Sequence, residues 1–189
     1  MAKKLLLFRA CGIVGEDAEC DNIRNQIELF GVQVTDLCPS SNDEIFSALN
    51  ATEKYDYIYL SSHGNQYGFG NASNTINIDW TEFASKICEA DCLNDDSIIL
   101  LSCCRGGLNQ VAYTFFKTCV KLSYIVGPRQ SLTPSDMLIG FSLFFYNIIE
   151  RNVDPIVACE KIKNGTDVRF FCFDRLETEG EVGYGLFSL

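Results

Sequence analysis

Short apolar runs alternate with amphipathic stretches from one end of the chain to the other, and that alternation predicts strands and helices in turn. Residues 5–8 read as a strand. Ile23, Ile27 and Phe30 recur at i, i+4 and i+7, which predicts a helix over residues 20–30. A second strand follows at 32–37. Ser41 with Glu44 gives a capping-box pattern, opening a helix that runs to about residue 50. Residues 57–60 predict a third strand, which delivers the chain into Ser61-Ser62-His63-Gly64. The Gly- and Asn-rich stretch 65–75 reads as a loop. Asp79 with Glu82 starts another helix, reaching about residue 88. The fourth strand, 97–101, ends in Ser102-Cys103-Cys104-Arg105-Gly106-Gly107. A helix over 108–120 leads directly into a fifth strand at 124–126. Thr133-Pro134 and Asp154-Pro155 each place Pro at a first helical position. The first opens a long apolar helix, and the second a shorter one closed by Asn164-Gly165. Residues 168–173 read as a last strand.

No linker, repeat or low-complexity segment interrupts the series. Strands alternating with helices imply a mostly parallel sheet covered on both faces. The expectation is one α/β domain over residues 1–189, with a central sheet of six strands.

Charge narrows the range of functions. A formal net charge of −10 excludes nucleic acid as the main ligand, because phosphate binding needs clustered Lys and Arg. It also speaks against docking on an anionic membrane. The opening Met1-Ala2-Lys3-Lys4-Leu5-Leu6-Leu7-Phe8 imitates a signal peptide, but Arg9 breaks the apolar run too early. No apolar stretch reaches the roughly 18 residues of a membrane helix. The chain therefore reads as cytoplasmic. Its 10 cysteines then read as free thiols rather than a disulfide framework. Cys38, Cys119, Cys159 and Cys172 sit in apolar surroundings as small core residues. Cys88 and Cys92 form a CxxxC pair, but no second Cys/His pair completes a zinc site, so no metal is expected.

In open α/β sheets functional residues collect at the carboxyl ends of the strands. Two strands here end in reactive residue types, one in His63-Gly64 and the next in Cys103-Cys104. The chain has a single histidine, so His63 is the one imidazole base available to a thiol nucleophile. Side chains alternate along a strand, so Cys103 and Cys104 cannot both face His63. Cys103 continues the strand and packs beneath it, which leaves Cys104 at the turn as the nucleophile. A thiol just ahead of a helix N-terminus gains thiolate character, and Arg105 adds to it. Gly64 leaves its N–H open to a substrate oxygen, so the amides of Gly64 and Cys104 form the expected oxyanion hole.

His63-Gly64 and Cys104-Arg105-Gly106 at the ends of consecutive strands resemble the caspase-like superfamily of cysteine peptidases. The caspase signature is Gln-Ala-Cys-Arg-Gly with its His roughly 50 residues upstream. Here Ser102-Cys103 replaces Gln-Ala and the separation is somewhat shorter. Leu101-Ser102-Cys103-Cys104 resembles the Leu-Ser-Ala-Cys of the CHAT branch. Val126-Gly127-Pro128, Asp136 and Phe144-Phe145-Tyr146 resemble that branch's fifth strand and following helix. The resemblance implies a three-layer caspase-like fold and a cysteine endopeptidase with a Cys104–His63 dyad, without cofactor, acting on a protein substrate. Animal caspases carry a cleavable linker after the nucleophile strand, and this chain has hardly any. The resemblance therefore implies activation by a regulatory protein partner, and it admits a role in bacterial antiphage defence. Relatives that cut after Arg or Lys place acids in the pocket for that residue, the S1 pocket. The acidic loop Gly15-Glu16-Asp17-Ala18-Glu19 and the later Asp136 suggest a basic P1 residue, with Asp17, Asp136 and Ser102 as S1 candidates. Asp136 is equally well placed as a stabilising first-turn helix acid. The alternatives are a catalytically silent caspase-like binding module and another thiol enzyme on the same kind of sheet, an acyltransferase or amidase. A nucleotide-binding fold is set aside, because Ala10-Cys11-Gly12-Ile13-Val14-Gly15 after the first strand carries neither GxGxxG nor a P-loop.

Overall fold

The computed structural model describes residues 2–177. The chain runs β1 (Lys4–Ala10), α1 (Glu16–Leu29), β2 (Gln33–Leu37), α2 (Asn42–Leu49), β3 (Tyr55–Gly64), β4 (Gly68–Gly70) and β5 (Asn77–Asp79). It continues through α3 (Trp80–Ala90), β6 (Leu93–Ser102), α4 (Asn109–Thr118), β7 (Leu122–Pro128), α5 (Pro134–Phe145), α6 (Pro155–Thr166) and β8 (Phe170–Asp174). The main sheet has the order β2-β1-β3-β6-β7-β8. Its strands pair in parallel except β8, which closes the edge antiparallel to β7. This is the α/β, mostly parallel six-strand sheet that the alternating pattern predicts.

Strands buried on both faces read as unbroken apolar runs, and the sheet shows why. Leu5 and Leu7, Tyr57 and Tyr59, and Ile98 and Leu100 pack on one face against α1, α5 and α6. Leu6 and Phe8, Ile58 and Leu60, and Ile99 and Leu101 pack on the other against α2, α3 and α4. Phe141 of α5 is fully buried, its ring 5.1 Å from that of Tyr59 and 4.5 Å from that of Phe170. Among the described residues no helix is long and apolar enough to cross a membrane.

Cys38, expected as a small core residue, is exposed, and three expectations about the elements need correction. The stretch 65–75 is not all loop, since β4 lies in it and pairs with β3 and β5. Phe69, Ile76, Ile78 and Trp80 of this hairpin region are buried in the α2–α4 side of the core. Gly68 and Gly70 are there for close strand approach rather than for turning. A Cβ on them would lie 2.2 Å from the Ile78 carbonyl oxygen and 2.5 Å from that of Ile76. Second, α1 begins at Glu16, so the acidic stretch after β1 is the first turn of a helix rather than a loop. Third, α6 runs past Asn164-Gly165 to Thr166, and Asp167 takes the left-handed position at φ 61. The Thr166 hydroxyl donates to the Ile162 carbonyl and accepts from Val168 N–H, which closes the helix without glycine.

Replacing Phe141 with Ala removes a ring that both Tyr59 and Phe170 pack against. Chemical denaturation should show a loss of about 3–5 kcal/mol.

Candidate active site

The parallel pairing of β3 with β6 sets Ser61 opposite Ser102. His63 lies two residues beyond the first and Cys104 two beyond the second, so both reach the end of the sheet at one level. By the alternation along each strand they belong to the face that carries Tyr57, Tyr59, Ile98 and Leu100, the side of α1 and α5. Both line one cavity of about 160 Å³, together with Cys11, Cys103, Glu16, Glu19 and Ser102. His63 is exposed and Cys104 is half-buried. Cys103 has the opposite parity. It packs among the residues of the α2–α4 side at 1% exposure, and burial pushes its thiol well above the ordinary range.

Gly64 fills the corner between the two strands. A Cβ there would lie 2.6 Å from the Cys104 carbonyl oxygen and 2.8 Å from the Cys103 sulfur, so no larger residue fits. Asn65 N–H donates to the Gly68 carbonyl at 3.0 Å, and Gly64 pairs with Phe69 one step along the same ladder. Hydrogen-bonded and non-hydrogen-bonded pairs alternate in an antiparallel ladder. The Gly64 N–H therefore points away from β4, towards the turn after β6. The Cys104 N–H has no hydrogen-bond partner among the described residues.

That turn is tightly built. Gly106 N–H donates to the Cys103 carbonyl at 3.2 Å, and Gly107 N–H to the Pro128 carbonyl at 2.8 Å. A Cβ on Gly107 would meet the Gly127 oxygen at 2.0 Å, so only glycine lets the turn press against β7. Arg129 donates to the Gly107 carbonyl and the Asn109 side chain, and it stacks 3.9 Å over the Phe171 ring. Arg105 is exposed, at φ 64. Because the turn runs through Leu108 before α4 opens at Asn109, Cys104 does not sit directly ahead of the helix as the sequence suggested.

The walls of the cavity hold two acids the sequence left in a loop. Glu16 and Glu19 are 5% and 4% exposed. The two Glu16 carboxylate oxygens accept the Cys11 and Gly12 N–H groups at 2.7 and 2.6 Å, fastening the β1–α1 loop. Glu19 Oε1 accepts from the Tyr59 hydroxyl at 2.6 Å and also from the Ser102 hydroxyl. Burial, outweighing those two hydrogen bonds, pushes the Glu19 carboxyl up to about 7, and Glu16 adds to the rise. Burial likewise raises the Cys11 thiol, to about 12.

Of the three residues expected at an S1 pocket, Ser102 lines this cavity and the two aspartates do not. The Asp17 side chain is 89% exposed and pairs with Arg9, whose main partners are Asp36 and Asp21. Helix geometry explains this, since positions 16 and 19 face the sheet and position 17 faces away. Asp136 accepts from Thr133 N–H and its hydroxyl in a capping box that starts α5. The helix-capping reading is the one its contacts support. No group of three or more His, Cys, Asp or Glu side chains suited to a metal occurs among the described residues.

No family model and no curated protein sequence matches the chain. Solved structures do. A secreted C11 cysteine protease from Bacteroides thetaiotaomicron, iotapain, superposes at TM-score 0.71 with 13% identity, over 97% of this chain and 69% of that one. An inactive zymogen C11 protease from Parabacteroides distasonis gives TM-score 0.60 and 12% identity, over 96% and 64%. The Arg-specific cysteine proteinase gingipain R gives 0.57 and 10%, over 92% of this chain and 46% of that one. The fold is the caspase-like fold of these cysteine proteases, and the chain spans only about half to two thirds of their length.

A buried carboxyl raised from 4.5 to about 7 has a definite effect on folding. The native state holds the Glu19 proton where the unfolded chain has lost it, so stability is fully present below pH 4.5 and is lost as pH rises to 7. The loss totals about 3 kcal/mol. Thermal melts from pH 4.5 to 8 should therefore fall less steeply for Glu19→Gln than for the parent chain. Parallel curves would contradict the assignment.

Proposed function

We propose that the chain is a cysteine endopeptidase that cuts a protein substrate after arginine or lysine, with Cys104 as nucleophile and His63 as its base. The observation that carries this reading is the single cavity that the thiol and the imidazole share with two buried carboxyls and no lining cation. His63 takes the Cys104 proton as the sulfur attacks the carbonyl carbon of the scissile bond. The oxyanion lies against the N–H groups of Gly64 and Cys104. As the C–N bond breaks, His63 returns the proton to the departing amine and a thioester remains on Cys104. Water then attacks the thioester, giving up a proton through His63, and the acid leaves with the thiol restored. Neither a metal nor a cofactor enters these steps.

The preference for a basic P1 residue rests on Glu19 and Glu16, with Ser102 beside them. A buried acid pair without a facing cation favours an arginine or lysine side chain and disfavours an acidic one by desolvation and repulsion. The Arg-specific gingipain among the structural neighbours is consistent with that choice. Activation by a regulatory protein partner and service in antiphage defence rest on the likeness to the CHAT branch alone.

Fluorogenic peptide amides that differ only at P1 test the reading. Arg and Lys substrates should be cleaved, and Asp substrates should not. Cys104→Ala should abolish turnover and His63→Ala should lower kcat by about 10²–10⁴-fold. Cys103→Ala should keep most of the activity. Turnover that survives in Cys104→Ala but dies in Cys103→Ala would overturn the assignment of the nucleophile.

A further inference from the structure

Glu19 does more in this cavity than a fixed negative charge would. It follows Glu16 by three residues on α1, so both carboxyls lie on the side of the helix that faces the sheet. Glu16 has both oxygens committed to the β1–α1 loop. Glu19 gathers two hydroxyl donors on Oε1, while Oε2 accepts no hydrogen bond among the described residues. The titratable groups around it are Glu16 and Cys20 on its own helix, Tyr59 on β3 with His63 at the rim, Cys11 after β1, and Cys103 and Cys104 past Ser102 on β6. From α5 the cavity receives Pro134 and Met137, which carry no charge. Arg9, on the neighbouring strand, is occupied by Asp36, Asp21 and Asp17. Every ionisable neighbour facing Glu19 is therefore an acid, a thiol, a phenol or the imidazole at the mouth. Such a site holds a proton at a pH where a free carboxyl has lost it.

We infer that this pocket is charged by its own substrate: empty, it keeps a proton on Glu19, and an entering guanidinium or ammonium group displaces that proton and pairs with the carboxylate. The inference rests on the basic-P1 reading and adds a proton to its chemistry. The bookkeeping balances, because one positive charge enters the pocket and one leaves as H⁺ to solvent. Affinity for a basic P1 residue then weakens tenfold for each pH unit below neutral and levels off above it. An uncharged isostere of the same shape, citrulline, shows no such slope. Helix α1 would thereby make substrate choice depend on pH, apart from any titration of the catalytic dyad.

Calorimetry on Cys104→Ala, which binds without cutting, separates the possibilities. Two peptide amides, identical except for Arg or citrulline at P1, are titrated from pH 5.5 to 8.5 in buffers of differing ionisation enthalpy. His63 affects both peptides alike, so the difference between them reports on the pocket. The expected result is about one proton released per Arg peptide bound below pH 7, with affinity rising tenfold per unit up to neutrality, and no slope for citrulline. Adding Glu19→Gln should remove the slope and most of the Arg preference. Counting protons in the unaltered pocket keeps the test valid even where the Glu19 variant fails to fold. A clear Arg preference with no proton release, or a slope that persists in Glu19→Gln, would sink this inference and leave the basic-P1 reading standing. Citrulline binding as tightly as Arg at pH 8.5 would sink the basic-P1 reading itself.

Discussion

The site depends on the register between two neighbouring strands. Ser61 lies opposite Ser102 across β3 and β6, and everything beyond those positions inherits the alignment. A slip of one residue in either strand would turn its side chains to the opposite face. His63 or Cys104 would then point into the α2–α4 core, and Cys103 or Ser62 would take its place. The apolar runs Tyr57-Ile58-Tyr59-Leu60 and Ile98-Ile99-Leu100-Leu101 guard against that slip, because the two faces bury different partners. The hydroxyl of Tyr59, for instance, finds Glu19 only on the α1 side.

Around that register the fold concentrates its costs in one place. Glycine is forced at Gly64 and Gly107 by neighbours closer than a Cβ allows. A non-glycine residue, Arg105, holds φ 64 in the turn between them. Two carboxyls are taken out of water on α1, next to a thiol raised by burial at Cys11. Each of these lowers stability, and the two carboxyls and the Cys11 thiol line the cavity shared by His63 and Cys104, while the glycines and Arg105 shape the strand ends beside it. Strain and desolvation of this kind persist where the surrounding structure holds them in place, and they cluster at working sites. Arg129 is part of that support, joining the turn after Cys104 to the aromatic rings of β8.

Much of this was legible in the residues, for physical reasons. Strands buried on both faces produce continuous apolar runs, and a helix that opens on Thr133-Pro134 advertises its start. The parity of adjacent positions likewise predicts a buried Cys103, as observed, with Cys104 less buried at the turn. Gly15 and three acids look like solvated loop, which hides the acidic first turn of α1. Nothing local says that positions 16 and 19 are buried while 17 is not. That division follows from how α1 lies on the sheet, which is a tertiary fact. The i, i+3 spacing of Glu16 and Glu19 was the available signal, and it becomes visible once the helix is extended back by one turn. The hairpin of β4 and β5 was hidden for a related reason. Its glycines serve close packing, while sequence rules read them as turn formers.

The most direct measurement is a crystal structure of the chain after reaction with a peptidyl chloromethyl ketone carrying Arg at P1. A covalent bond to the Cys104 sulfur should form, with the ketone-derived oxygen near the N–H groups of Gly64 and Cys104 and the guanidinium against Glu19. An adduct on Cys103, or an arginine side chain directed to Asp17 or Asp136 instead, would contradict it.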